Sequence, residues 1–173
     1  MDFKNKKILV AFFSHKGENY VNGRIAELKK GNTAVVADLI AGLTGADMFE
    51  IRPVKEYPVT YNLCTSEAQL ELSTNSRPEL IEDIDVTGYD VIFLGYPNWW
   101  GTMPMPVWTF LEAHDFSEIT IFPFCTHEGS AMGNSETDLS KLAPRADIKK
   151  GLAIYGSSVS KSEPDVKNWI MKG

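Results

Sequence analysis

The chain has 173 residues, 43% of them hydrophobic and 23% charged, enough for one sizeable core and short for two, so residues 1–173 are predicted to form a single domain. A formal net charge of −6 disfavours nucleic acid as a main partner, because phosphate backbones require a basic surface. No apolar stretch approaches the ~20 residues of a membrane helix, and Cys64 and Cys125 lack the spacing of a zinc site or disulfide framework. The opening apolar run leads into "SHKGENY" without a cleavage pattern, and a cytoplasmic protein is expected.

The elements follow in chain order. "KKILVAFF" reads as a first strand ending at Ser14. "NTAVVADLIAGLTG" has helical spacing, with Thr33 as N-cap and Val36, Ile40 and Leu43 on the inner face. "MFEIRPV" is a second strand, and "SEAQLELST" a helix stopping before Pro78. "YDVIFLGYP" is apolar on both faces, as a central parallel strand should be. "PMPVWTFLEAH" starts a helix at its prolines and turns Val107, Phe110 and Leu111 inward. "ITIFPFCTH" is a fourth strand, "NSETDLSKLA" a helix, "KKGLAIYGSS" a fifth strand and "EPDVKNWIMK" a closing helix. Alternation of this kind predicts an α/β fold, an open doubly wound parallel sheet of five strands with helices on both faces. For the order 2-1-3-4-5, the ligand crevice lies beyond the carboxyl ends of strands one and three.

Three loops leave that edge: "SHKGENY", "YPNWWGT" and "CTHEGSAMG". After the first, "GNT" opens a helix and offers backbone N–H groups, an amide and a hydroxyl to an anion, with Ser14 facing the same helix start. Neither G-x-x-x-x-G-K-[ST] nor G-x-G-x-x-G occurs, which disfavours a Walker NTPase and a dinucleotide Rossmann site. The second loop places Trp99 and Trp100 where a planar ligand would lie, although one of them packing under the following helix remains an equal reading, and Gly101 permits close backbone approach. In the third loop Cys125 reads as a buried small hydrophobe, and no G-x-S-x-G elbow accompanies the polar residues. His15, His114 and His127 are too scattered to pair as metal ligands. An anion cradle, an aromatic plane and a polar third loop describe a mononucleotide with a flat ring, and flavin mononucleotide (FMN) fits best.

The segments "FFSHKGENY", "KGNTAVVADLI", "FEIRPVKEYP", "YDVIFLGYPNWWGTMPMPVWTFLE" and "FPFCTHEGSAMG" together resemble the flavodoxins, in a bacterial short-chain branch, over nearly the whole chain. The resemblance implies a flavodoxin-like fold with non-covalent FMN. It assigns Ser14, Lys16, Gly17, Asn32 and Thr33 to the phosphate, Pro97, Asn98, Trp99, Trp100 and Gly101 to a loop along the isoalloxazine, and Thr126, His127, Glu128 and Gly129 to its other side. Residues 15–30 interrupt the phosphate loop, and this segment is expected to fold over the phosphate and to contact it with at least one of Lys16, Arg24, Lys29 and Lys30. Glu128 is expected near the ring, lowering its potential. The first functional reading is an electron-transfer flavoprotein that meets redox protein partners as a monomer or homodimer. The rival is an NAD(P)H-dependent FMN oxidoreductase acting on quinones, and a non-redox phosphate-ligand module is a third.

Overall fold

In the computed structural model, which describes residues 3–173, the predicted sheet is present. Its strands are β1 (Ile8–Phe12), β4 (Asp47–Glu50), β5 (Val91–Pro97), β6 (Thr120–His127), β7 (Asp147–Ile148) and β8 (Leu152–Tyr155). All pairings are parallel, in the order β4-β1-β5-β6, with β7 and β8 both on β6. The last two make one split strand: β7 pairs with Thr120 and Ile121, and β8 with Phe124 to His127. The order is thus the expected 2-1-3-4-5, its fifth strand interrupted only by residues 149–151.

Helices α1 (Asn32–Thr44) and α5 (Glu163–Lys172) cover one face, and α2 (Tyr61–Ser73), α3 (Met105–Ala113) and α4 (Ser135–Leu142) the other. Alternation along the strands sorts the core accordingly. Leu9, Ala11, Ile92, Leu94 and Ile121 point towards α3 and α4, while Val10, Phe12, Phe93, Phe122 and Phe124 point towards α1 and α5.

Helix α1 departs from two expectations. Its N-cap is Gly31, not Thr33, because the Ser14 hydroxyl at the end of β1 accepts the Ala34 N–H at 3.1 Å and so caps the helix through space. Its inner face is Thr33, Val36, Ala37 and Ile40, whereas Leu43 is 37% exposed near the helix end. Helix α2 begins at Tyr61, roughly a turn and a half before the start of "SEAQLELST".

The segment that interrupts the first loop is a hairpin of β2 (Gly17–Val21) and β3 (Arg24–Leu28), a two-stranded antiparallel sheet of its own. Asn22 and Gly23 turn it, both with positive φ (49° and 83°), as a primed two-residue turn demands.

Candidate functional site

The first loop is continuous in space despite the hairpin. Gly31 packs against Ser14 and His15 so closely that an added Cβ would lie 2.5 Å from the His15 carbonyl oxygen. Ser14 and His15 therefore abut Gly31, Asn32 and Thr33, and the hairpin loops out of the junction. Among the described residues the N–H groups of Asn32 and Thr33 have no hydrogen-bond partner, so two donors stand free at the positive end of α1. The Thr33 hydroxyl, buried, pairs with that of Thr126 at 2.8 Å and ties the start of α1 to the end of β6.

The second loop is a tight turn. Trp99 and Thr102 exchange backbone hydrogen bonds of 3.0 and 3.2 Å, and the two residues between them, Trp100 and Gly101, have φ of 54° and 86°. Gly101 adopts this conformation freely, but for Trp100 the left-handed backbone costs about 1–2 kcal/mol. The Asn98 side chain braces the turn, accepting the Gly101 N–H at 2.9 Å and donating to the Ala131 carbonyl at 2.8 Å.

The two tryptophans divide the readings between them. Trp99 is wedged edge-on among Phe13, Tyr57 and His15, at centroid distances of 5.2, 5.0 and 5.7 Å. Trp100 is 51% exposed, and its indole N–H donates to the Thr65 carbonyl of α2 at 2.9 Å.

In the third loop the Gly129 N–H donates to His127 Nδ1 at 2.9 Å, which places the neutral ring's proton on Nε2. The His127 ring also packs on Tyr155, 4.4 Å between centroids. Burial pushes His127 below the usual histidine range, with the Glu128 carboxylate pulling it partly back. His15 is lowered too, by burial, against the opposing effect of its hydrogen bond to the Pro58 carbonyl. Glu128 is a bridge: one carboxylate oxygen accepts the Ser157 N–H at 2.7 Å, the other the Asn22 N–H at the hairpin tip at 3.0 Å. Cys125 is fully buried and its thiol is pushed up to about 12, the state of an inert core residue.

Both histidines are depressed, so the unfolded chain binds more protons below its ordinary histidine pKa of about 6.5, and stability falls as pH drops from there through the folded values. His127→Asn, which keeps an acceptor near the Nδ1 position but does not titrate, is expected to flatten part of that fall. Denaturant midpoints between pH 7.5 and 5 measure it; parallel curves for parent and variant would show that His127 does not contribute.

These loops enclose a cavity of about 370 Å³ lined by Asn32, Thr33, Pro97, Asn98, Trp99, Trp100, Thr126, His127, Glu128 and Gly129. Four other candidates lie elsewhere. Ser14 and Lys16 face a neighbouring cavity of about 470 Å³ that also holds Lys29 and Lys30. Gly17 starts the hairpin against Val59, and Gly101 serves the turn. Of the cations of the inserted segment, Lys16, Lys29 and Lys30 line the larger cavity, Lys30 also pairing with Asp38, and Arg24 lines neither. Glu128 lies beside Asn32 and Gly156, where its carboxylate accepts the Ser157 N–H.

Other lining residues were not foreseen. Tyr61, Thr65 and Ala68 present one face of α2, His15, Asn19 and Tyr20 come from the hairpin and its root, and Ser130 and Gly156 complete the wall. The i, i+4, i+7 spacing in α2 is visible in the sequence, but only with the helix start at Tyr61. Among the described residues no group of three or more His, Cys, Asp or Glu is placed to hold a metal, and no helix is long and apolar enough to cross a membrane.

A sequence model of the family described as Flavodoxin matches residues 7–173. The chain belongs to the flavodoxin family. The chain is similar to a proposed flavoprotein from Bacteroides eggerthii, with 31% identity over 97% of this chain and 98% of that one, and a TM-score of 0.78. A proposed flavoprotein from Bacteroides uniformis is also 31% identical, covering 96% and 98% of the two chains, with a TM-score of 0.75. A flavoprotein from Lactobacillus acidophilus, solved in complex with FMN, shares the fold at 19% identity over 95% and 99%, TM-score 0.63. No match was found among curated proteins.

Proposed function

We propose that the chain binds FMN non-covalently in the smaller cavity and works as an electron-transfer flavoprotein. The observation that carries this reading is the convergence on one cavity of a helix start with two free N–H groups, two tryptophans and the polar 126–129 loop. It has the support of family membership and of FMN in the Lactobacillus relative.

Asn32 and Thr33 hold the phosphate on the α1 dipole without a neutralising side chain. Trp99 is the fixed inner wall, immobilised by its aromatic neighbours; Trp100 is the outer one, held to α2 by its indole N–H. Thr126 to Gly129 close the opposite side and exclude water. FMN bound there supplies the one- and two-electron chemistry, and the protein sets access and potential. The net charge of −6 favours a redox partner with a basic contact surface.

The test is the visible spectrum after FMN addition, then NADPH without oxygen. A carrier stays oxidised with NADPH alone and bleaches once a reductase is added. Bleaching by NADPH alone would make the protein an NAD(P)H-dependent oxidoreductase instead.

Trp100→Asn separates strain from binding. Asparagine tolerates the left-handed backbone, so stability is expected to rise by about 1 kcal/mol. FMN affinity is expected to fall roughly tenfold as the outer aromatic contact is lost. Chemical denaturation of the FMN-free protein and an FMN titration read the two effects, and a fall in stability would remove the strain argument.

A further inference from the structure

The hairpin is fastened across the cavity at both ends. At its root, the Glu18 N–H donates to the Val59 carbonyl at 2.8 Å, and the Glu18 carboxylate accepts the Tyr61 N–H at the start of α2 at 2.8 Å. At its tip, the Asn22 N–H is held by Glu128, whose other oxygen caps Ser157. Glu128 meets Asn32 and Gly156 there, at the end of the cavity where α1 begins. The strand between these fastenings, with Asn19 and Tyr20, lines the cavity. Asn19 spends its amide N–H groups on the His15 and Gly17 carbonyls, at 3.3 and 3.2 Å, and keeps its Oδ1 unbonded. The Tyr20 hydroxyl likewise makes no hydrogen bond among the described residues, and its ring is 6.3 Å from that of Tyr61.

We infer that the hairpin is a ligand-binding strap: the Tyr20 hydroxyl donates to the phosphate, Asn19 Oδ1 accepts from the ribityl chain, and the latched strand slows ligand release. The inference rests on the FMN reading. The Tyr20 hydroxyl adds a donor to the two free N–H groups of α1, and no ammonium group of the hairpin reaches in to do so.

The inference is tested by calorimetric titration of FMN and of riboflavin, which lacks the phosphate, together with FMN dissociation rates by rapid mixing. Tyr20→Phe keeps the ring and removes the hydroxyl; FMN affinity is expected to fall about tenfold with riboflavin affinity unchanged. Because His15 abuts Gly31, a second variant replaces Lys16–Lys30 by one glycine, and its FMN dissociation is expected to be about 100-fold faster. If that excision does not fold, Glu18→Ala, which frees the root from α2, is the substitute, with dissociation expected to be about tenfold faster. Equal losses for both flavins in Tyr20→Phe, or FMN affinity equal to the parent's, would overturn the phosphate contact. Unchanged dissociation in the strap variant would overturn the strap. A parent that binds neither flavin would refute the FMN reading itself, whereas a parent that binds FMN with insensitive variants refutes only this inference.

Discussion

Gly31→Ala is expected to weaken FMN binding about 100-fold and to cost the FMN-free protein about 2 kcal/mol. The residue's φ is −66°, so its backbone conformation would suit alanine; space is what it lacks. The new methyl would lie 2.5 Å from the His15 carbonyl oxygen and against the Ser14 hydroxyl that caps α1. Relief requires the β1 end and the α1 start to separate, which dismantles the pair of N–H donors at Asn32 and Thr33. Gly42→Ala is the control, since nothing lies within 4 Å of its added Cβ. In the last turn of α1 it is expected to stabilise by roughly 0.5 kcal/mol and leave FMN binding alone. Calorimetric titration and thermal unfolding of both variants measure the contrast; FMN affinity in Gly31→Ala within a factor of a few of the parent would contradict it.

The second large effect is Trp99→Ala. Removing an indole packed edge-on against Phe13, Tyr57 and His15 leaves a cavity between the sheet and α2 and is expected to cost about 3 kcal/mol. For a chain of this size that lowers the thermal midpoint by roughly 10 °C. FMN binding is expected to be lost as well, because Trp99 lines the cavity and holds the strand of the turn that carries Trp100. A stability loss under about 1 kcal/mol would show that the aromatic cluster adapts to the vacancy.

The sheet was legible in the sequence because its central strands are buried on both faces and stand out as apolar runs. The loops that follow them are legible for the same reason, and ten of the fourteen candidate residues meet at one cavity. Ser14 and Lys16 line the neighbouring cavity through an event the strand pattern does not record: the chain leaves the loop at Lys16, runs out and back as a hairpin, and rejoins at Gly31. Its polar strands bury little, so no apolar run announces them, although Asn22-Gly23 carries a hairpin turn signal. The position of Thr33 in "GNT" suggests a cap, whereas the cap comes through space from Ser14. Tyr61, Thr65 and Ala68 join the site through the docking of α2, which local sequence does not encode.

The most direct test of the central claim is an equilibrium titration of the protein with FMN, following flavin fluorescence. The structure predicts saturation at one equivalent with the fluorescence quenched by the flanking aromatics, and a quench that weakens in Trp100→Asn. Flavin fluorescence that remains that of free FMN at stoichiometric protein would contradict the assignment of this cavity.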